Sequence, residues 1–318
     1  MENAPVLVCP LCKGPLRSGD SAYDCDSCGR RYPVLYGIPD FRILPDRYLS
    51  IEEDRAKGAR LEEGAAAGRD FAGMLDLYWS MTPEVSPDLA RKFRTHQLAE
   101  ERIAAATLEE LGPWNGPLLD VGCATLGLVA AAGRRAAAVG VDVAFRWLVV
   151  GKVRLREAGV AALLVCANAE YLPFPEDAFG AVTANDLMEH VVDPAPVLQE
   201  CRRVLRADGR GYFSTNNRYS ILPEPHVGVW GVGWLPRPLQ ARYVEGMWGR
   251  PYRNICLRSG GEVERYARAA GFRDCRLSAA PLSSAPDYRP GAQSLYRRLR
   301  GWNAMRWMGP RLQLLCRK

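Results

Sequence analysis

Leu118-Leu119-Asp120-Val121-Gly122-Cys123-Ala124-Thr125-Leu126-Gly127 is the stretch on which the fold of this 318-residue chain turns. The apolar run from Pro117 to Val121 reads as a short buried strand. Gly122 then lets the backbone turn without the penalty of a Cβ. Leu128-Val129-Ala130-Ala131-Ala132 has helix-forming character. Strand, glycine turn and helix open the ligand-binding edge of an α/β sheet, where ligands sit beyond the carboxyl ends of the strands.

Working outward, Ala137-Ala138-Val139-Gly140-Val141-Asp142 reads as the next strand, and its terminal acid lies 22 residues after Asp120. An acid at that distance, on the tip of the second strand, accepts the hydroxyls of a ribose. No G-x-G-x-x-G and no Gly-Lys-Ser/Thr loop is present, so the signatures of a pyrophosphate cradle are missing. Asp120 stands just before the turn, where its charge repels phosphate and attracts an amine. A ribose-bearing ligand with an ammonium group and no phosphate matches this pattern. S-adenosylmethionine is such a ligand.

Further blocks follow in order: Asn168-Ala169-Glu170-Tyr171-Leu172-Pro173-Phe174, Phe179-Gly180-Ala181-Val182, Met188-Glu189-His190-Val191-Val192-Asp193-Pro194, and Arg203-Val204-Leu205-Arg206-Ala207-Asp208-Gly209-Arg210-Gly211. With Asp120-Val121-Gly122-Cys123 and Asp142, these make the chain resemble the class I S-adenosylmethionine-dependent methyltransferases over roughly residues 95–280. The resemblance implies a Rossmann-like, seven-stranded α/β sheet with helices on both faces. It implies cofactor contacts from Asp120, Gly122, Cys123, Asp142, Val143, Asn168, Ala169, Glu170 and Asn185. Asn168 stands where many members have Asp, and its amide oxygen is expected to accept from the adenine amino group. Ala124 and Leu126 replace glycines usual in the loop. Strands are expected near 117–121, 137–142, 161–166, 179–184 and 210–215, with two more near 273–279 and 311–317, the last antiparallel. Helices are expected near 86–111, 127–134, 144–158 and 194–206.

Hydrophobic residues make up 48% of the chain and charged residues 25%, as in an ordinary globular protein. No apolar run reaches membrane-spanning length. The amino-terminal residues lack the basic-then-apolar order of a signal segment, so a cytoplasmic location is expected. The net charge of +6 is uneven: residues 288–318 hold eight Arg or Lys and no acid, and the rest is net −2. A near-neutral body argues against a broad nucleic-acid footprint.

Cys9, Cys12, Cys25 and Cys28 form C-x2-C-x12-C-x2-C. Two such knuckles supply four thiolates for a tetrahedral, structural Zn2+; two disulfides are the alternative. A module of this size needs metal for its folding free energy. With Tyr32 to Phe41 it resembles the zinc ribbon beside some tRNA, rRNA and small-molecule methyltransferases. The other six cysteines are scattered, most in apolar contexts that suit free thiols.

The expected organisation is a ribbon at 1–45, a linker or lid at 46–85, and a methyltransferase domain at 86–318 with a substrate-loop insertion at 216–256. Residues 50–70 carry no clear period and read as a linker or mobile segment, or as a partly helical one. Phe71 to Met81 reads as a segment packed on the domain, or as part of a lid. The insertion is too long and aromatic for a plain connection, and long ordered loops usually serve function. Trp230, Trp234, Tyr243 and Trp248 are expected to wall an acceptor pocket, with His226 as general base beside Glu224, unless the pair only braces the loop. His190 is expected to shape the loop after the fourth strand through a helix-terminal hydrogen bond. Leu295, Leu299, Trp302 and Met305 fall at helical spacing among arginines. That segment, 294–308, packs on the sheet, touches an anionic membrane or binds an acidic substrate.

The function expected is methyl transfer from S-adenosylmethionine to a small-molecule acceptor, a secondary metabolite or a lipid-linked compound. An RNA methyltransferase is the alternative, disfavoured by the weakly charged ribbon; a non-catalytic binding protein is the third. The sequence leaves the acceptor atom and the oligomeric state open.

Overall fold

The computed structural model describes residues 5–249, 252–281 and 290–318. A small antiparallel sheet comes first: β1 (Leu16–Ser18), β2 (Ala22–Cys25), β3 (Arg31–Leu35) and β4 (Ile38–Pro39), in that order. Three helices follow, α1 (Ile51–Ala66), α2 (Phe71–Ser80) and α3 (Pro87–Leu111). Strands and helices then alternate as β5 (Leu118–Val121), α4 (Gly127–Gly133), β6 (Ala138–Asp142), α5 (Phe145–Ala158), β7 (Leu163–Cys166), β8 (Phe179–Ala184), α6 (Pro194–Val204) and β9 (Leu205–Asn216). The chain closes with α7 (Arg237–Trp248), α8 (Gly260–Ala269), β10 (Arg273–Ala279), α9 (Pro290–Leu299), α10 (Met305–Met308) and β11 (Arg311–Arg317).

The main sheet has seven strands in the order β10-β11-β9-β8-β5-β6-β7. The five strands β5 to β9 run parallel, and β11 inserts antiparallel between β9 and β10. This is the expected Rossmann-like sheet. Neighbouring strand residues alternate between two buried clusters: Leu119 and Val139 in one, Leu118 and Ala138 in the other. Side chains alternate across a strand, so the two clusters are the two faces of the sheet. One face is covered from α6 and α8, the other from α1 to α5. The strand order reverses between β5 and β8, and their carboxyl tips flank the crevice where such sheets bind ligands.

The small sheet shares the core of the large one. Cys9, Cys25, Tyr32 and Phe41 belong to the same buried cluster as Val165 and Phe174. Phe41 donates its backbone N–H to Cys166 O at 2.7 Å, continuing the pairing past β7.

Three elements differ from expectation. Residues 51–66, read as a linker or at most a partly helical segment, form one continuous helix with a Ser50–Glu53 capping box. Its contact stripe is Asp54, Gly58, Leu61 and Ala65, at helical spacing but built of small and charged residues. A Cβ on Gly58 would meet Phe145 at 2.5 Å, so glycine is what lets α1 lie against α5. Strand β9 begins at Leu205, so α6 ends earlier than expected. The 294–308 stretch is two helices broken at Gly301, and it leaves Leu295 and Trp302 exposed (57% and 64%) where packing on the sheet would have buried them. Cys275 and Cys316, read as free thiols, are joined across β10 and β11.

Candidate active site

Asp120, at the tip of β5, is 3% exposed, and Thr183 Oγ1 on β8 donates to it at 2.7 Å. Burial, with the carboxylates of Glu100 and Asp142 adding to it, pushes Asp120 up to about 7 against that hydrogen bond. A buried carboxyl with a single partner suits an incoming ammonium group. Gly122 turns the backbone at φ +74°, and its N–H and that of Cys123 both donate to Val141 O. Cys123 is buried against Gly140 and packs; no polar partner is attached to its thiol among the described residues. Leu126 holds a left-handed conformation at φ 65° directly before α4, a position that favours glycine.

Asp142, at the tip of β6, accepts from the N–H groups of Ala124 and Ala144, both at 2.8 Å. Burial pushes it up to about 6 against these two bonds. Each oxygen keeps one lone pair, enough for two ribose hydroxyls. The carboxylate therefore also braces the glycine turn, a second task the sequence did not disclose. Val143 offers its carbonyl to Arg42 at 3.3 Å.

Asn168 departs from expectation. Its Oδ1 accepts from Ile43 N at 2.9 Å and Leu44 N at 3.0 Å, and its Nδ2 donates to Leu44 O at 3.1 Å. Both lone pairs of the oxygen are used, so Asn168 has none left for an adenine amino group. The segment that leaves the small sheet takes those hydrogen bonds. From Asn168 this segment passes Arg146, which Asp46 meets at 2.6 Å. It then passes Arg47, whose guanidinium donates to His190 O and Asn254 O. Beneath it, Arg42 bridges Asp40 and Asp54 at 2.7 and 2.6 Å, all three side chains at most 1% exposed. Apart from the Arg42 pairs, no local pattern marks these contacts, because they join residues 100 to 207 positions apart. Ala169 and Glu170 are half-buried beside Asn168.

Beyond β8 the chain turns sharply through Asn185 and Asp186, the latter at φ 48°. Ser214 Oγ donates to both, at 3.3 and 3.0 Å, and Arg311 pairs with Asp186 at 2.6 Å. Glu189 is fully buried, and accepts from Thr215 Oγ1 at 2.7 Å and from Asn216. His190 donates its backbone N–H to Leu187 O at 2.9 Å, which closes the loop after β8, while its ring Nδ1 is buried and without a hydrogen-bond partner. Burial, reinforced by the nearby His226, lowers its pKa to about 3, so its ring is neutral.

The insertion delivers His226 to this spot. The two imidazoles meet edge to face with centroids 5.0 Å apart. Glu224, 4% exposed, accepts from His226 Nδ1 at 2.5 Å and from the N–H groups of His226 and Val227 at 2.9 Å. Burial opposes the charged form of His226, but the Glu224 bond and charge outweigh it and raise the pKa above its ordinary value. The aromatic wall is not there: Trp230 and Trp234 are 62% and 51% exposed, and their indole N–H groups donate to Ile221 O and Ser220 O. Tyr243 hydrogen-bonds Trp230 O. These rings clamp the insertion from outside while Val229, Val232, Val244 and Tyr252 fill its interior. The side chain of Trp248 lies outside the described residues.

In the small sheet, Cys9, Cys12, Cys25 and Cys28 come together, with Sγ–Sγ distances of 3.7 Å (Cys9–Cys28) and 3.4 Å (Cys12–Cys25). A tetrahedron of zinc–sulfur bonds of about 2.3 Å has edges of about 3.8 Å, so the quartet fits a zinc ion.

Comparison with known proteins bears on the family. The pattern described as "Methyltransferase domain" matches residues 119–213. The chain is similar to the ubiquinone biosynthesis O-methyltransferase of Paracidovorax citrulli, 37% identical over 180 residues, covering 52% of this chain and 69% of that protein. Its counterpart in Salmonella paratyphi A is 28% identical over 176 residues, which span 55% of this chain and 65% of that protein. Among solved structures, a SAM-dependent methyltransferase from Thermotoga maritima superposes with a TM-score of 0.48 at 19% identity, covering 72% of this chain and 93% of the other. The chain belongs to the S-adenosylmethionine-dependent methyltransferase family.

Proposed function

We propose that the chain transfers the methyl group of S-adenosylmethionine to a hydroxyl of a small-molecule acceptor, a secondary metabolite or a lipid-linked compound. The observation that carries this reading is the delivery of His226, backed by Glu224, to the loop after β8, at the edge where Asp120 and Asp142 end. The relatives named O-methyltransferases favour oxygen as the acceptor atom.

The cofactor would supply an already electrophilic methyl group. Asp120 would hold its ammonium end and Asp142 its ribose, with the turn at Gly122 close to both. His226 takes the acceptor's proton, and Glu224 fixes the imidazole so that Nε2 is the free nitrogen. General-base help of this kind is worth about 10²–10⁴-fold. Zinc on the four cysteines would be structural, since all four positions are filled by protein. Trp302, Trp307 and Met308, exposed near Arg297 and Arg298, suit contact with an anionic membrane carrying a lipid-linked acceptor.

The ribbon's cations are largely engaged, Lys13 with Glu200 at 2.7 Å, Arg17 with Asp26 at 3.6 Å and Arg31 with Asp24 at 3.7 Å, which weighs against RNA. The saturated Asn168 favours the non-catalytic reading. Calorimetric titration with S-adenosylhomocysteine separates the two: heat of binding supports the enzyme, and none supports the binding protein. Radiolabelled methyl transfer to phenolic and aliphatic alcohols, run beside RNA, then tests the acceptor. Label in RNA alone would overturn the proposal.

A further inference from the structure

Glu189, His190 and His226 form a cluster that the general-base reading uses only in part. One side-chain ligand atom from each lies within 4.8 Å of the others. Two come from the loop after β8, the third from the insertion. Among the described residues, the one other group of this kind is the cysteine quartet.

Three observations point to a missing ligand. His190 Nδ1 is sealed from solvent and has no hydrogen-bond partner. Buried polar atoms are nearly always paired, and an exception calls for an ion or a water. Glu224 holds His226 by its Nδ1, the carboxylate–histidine arrangement that orients metal-ligating imidazoles and leaves Nε2 outward. Glu189 Oε1 takes both donors of Asn216, whereas Oε2 takes the Thr215 hydroxyl alone and keeps a lone pair.

We propose that Glu189, His190 and His226 bind a divalent first-row transition cation. Two imidazoles and one carboxylate suit Zn2+, Mn2+, Fe2+ or Co2+. Three protein ligands leave a coordination position open, as catalytic sites do and structural ones do not. Ligands about 2.1 Å from a tetrahedral ion stand about 3.4 Å apart, so the cluster closes by about 1 Å on binding. His226, carried on a loop, supplies that movement. An acceptor hydroxyl at the open position is polarised by the cation, and its proton passes to water. That use rests on the methyltransferase reading; the site itself does not. With the cation bound, His226 is a ligand and the metal takes over the activation of the hydroxyl.

The test uses the full-length chain with its cysteines loaded with zinc. Mn2+, which prefers oxygen and nitrogen donors to thiolate, is titrated in and the free ion followed by electron paramagnetic resonance. One Mn2+ per chain is expected, with affinity at least tenfold lower in His190→Gln and His226→Gln. If either variant fails to fold, Glu224→Gln reaches the cluster only through His226 and should weaken binding about tenfold. Co2+ should give weak visible bands without the intense sulfur charge-transfer absorption. No Mn2+ or Co2+ on the wild type, or unchanged affinity in the variants, overturns the site. If the cation binds while no acceptor is methylated, the site stands and the proposed activity falls. If methyl transfer runs at full rate with no metal bound, the cation's part in activating the hydroxyl falls and His226 remains the base.

Discussion

Replacing Asp120 by asparagine should stabilise this protein above neutral pH and abolish cofactor binding. The carboxyl is 3% exposed with one hydrogen bond, from Thr183, and burial holds its pKa at about 7 instead of 3.8. The sign follows from linkage. Below about pH 3.8 the group is neutral folded and unfolded, and nothing is lost. As pH rises toward 7 the unfolded chain ionises freely while the folded one resists, so stability falls through that window and levels off above it. Three pKa units correspond to a ceiling of about 4 kcal/mol at pH 8. An asparagine amide without a partner offsets about 1–3 kcal/mol of that, which leaves a net gain of about 2 kcal/mol. For a chain of this length such a gain raises Tm by roughly 3 °C. The assay is thermal unfolding of both proteins at pH 5 and pH 8, with calorimetric titration of S-adenosylhomocysteine. The variant should melt higher at pH 8, by a margin that shrinks at pH 5, and should give no heat with the ligand. The wild type, which must lose a proton to pair with the ammonium, should bind about tenfold more weakly per unit below pH 7. An Asp120→Asn protein less stable than wild type at pH 8, or one that binds the ligand normally, refutes the reasoning.

Glu224→Gln removes the partner that raises His226, so the acid limb of kcat/KM against pH should move to lower pH; an unmoved limb would show that His226 is not the titrating base. Asn168→Ala breaks three hydrogen bonds to residues 43 and 44 and should lower stability by about 1–3 kcal/mol in urea melts. If the Asn168 bonds hold a roof over the crevice, S-adenosylhomocysteine should also associate faster with that variant by stopped flow. Gly180→Ala would drive a Cβ to 1.7 Å from Asn115 O, and loss of soluble protein or a large drop in Tm is expected. Chelating zinc should release one equivalent per chain and expose the ribbon to protease, since Cys9 and Cys25 lie in the core shared with the main sheet.

Much of the fold was legible in local pattern. The parallel strands are short apolar runs buried on both faces, and the turn at Gly122 and the two acids on neighbouring tips stand at fixed spacings. The four cysteines announce their own cluster. Helix α1 was not legible, because it packs through Gly58 and Asp54 and so shows no apolar stripe. The exposed positions of Trp230 and Trp234 were not legible either: aromatic residues suit a pocket wall and an outer clamp equally well, and the carbonyls that hold them decide.

The sequence by itself determined the sheet, the two acids on neighbouring strand tips and the cysteine quartet, for these depend on periodicity and on residues at short, fixed spacings. Only the tertiary structure decided that Asn168 is spent on residues 43 and 44, and that His190 and His226 meet over Glu189. Those contacts join segments 36 to 125 positions apart. Such distances are closed by packing the whole chain, and no local signal records them.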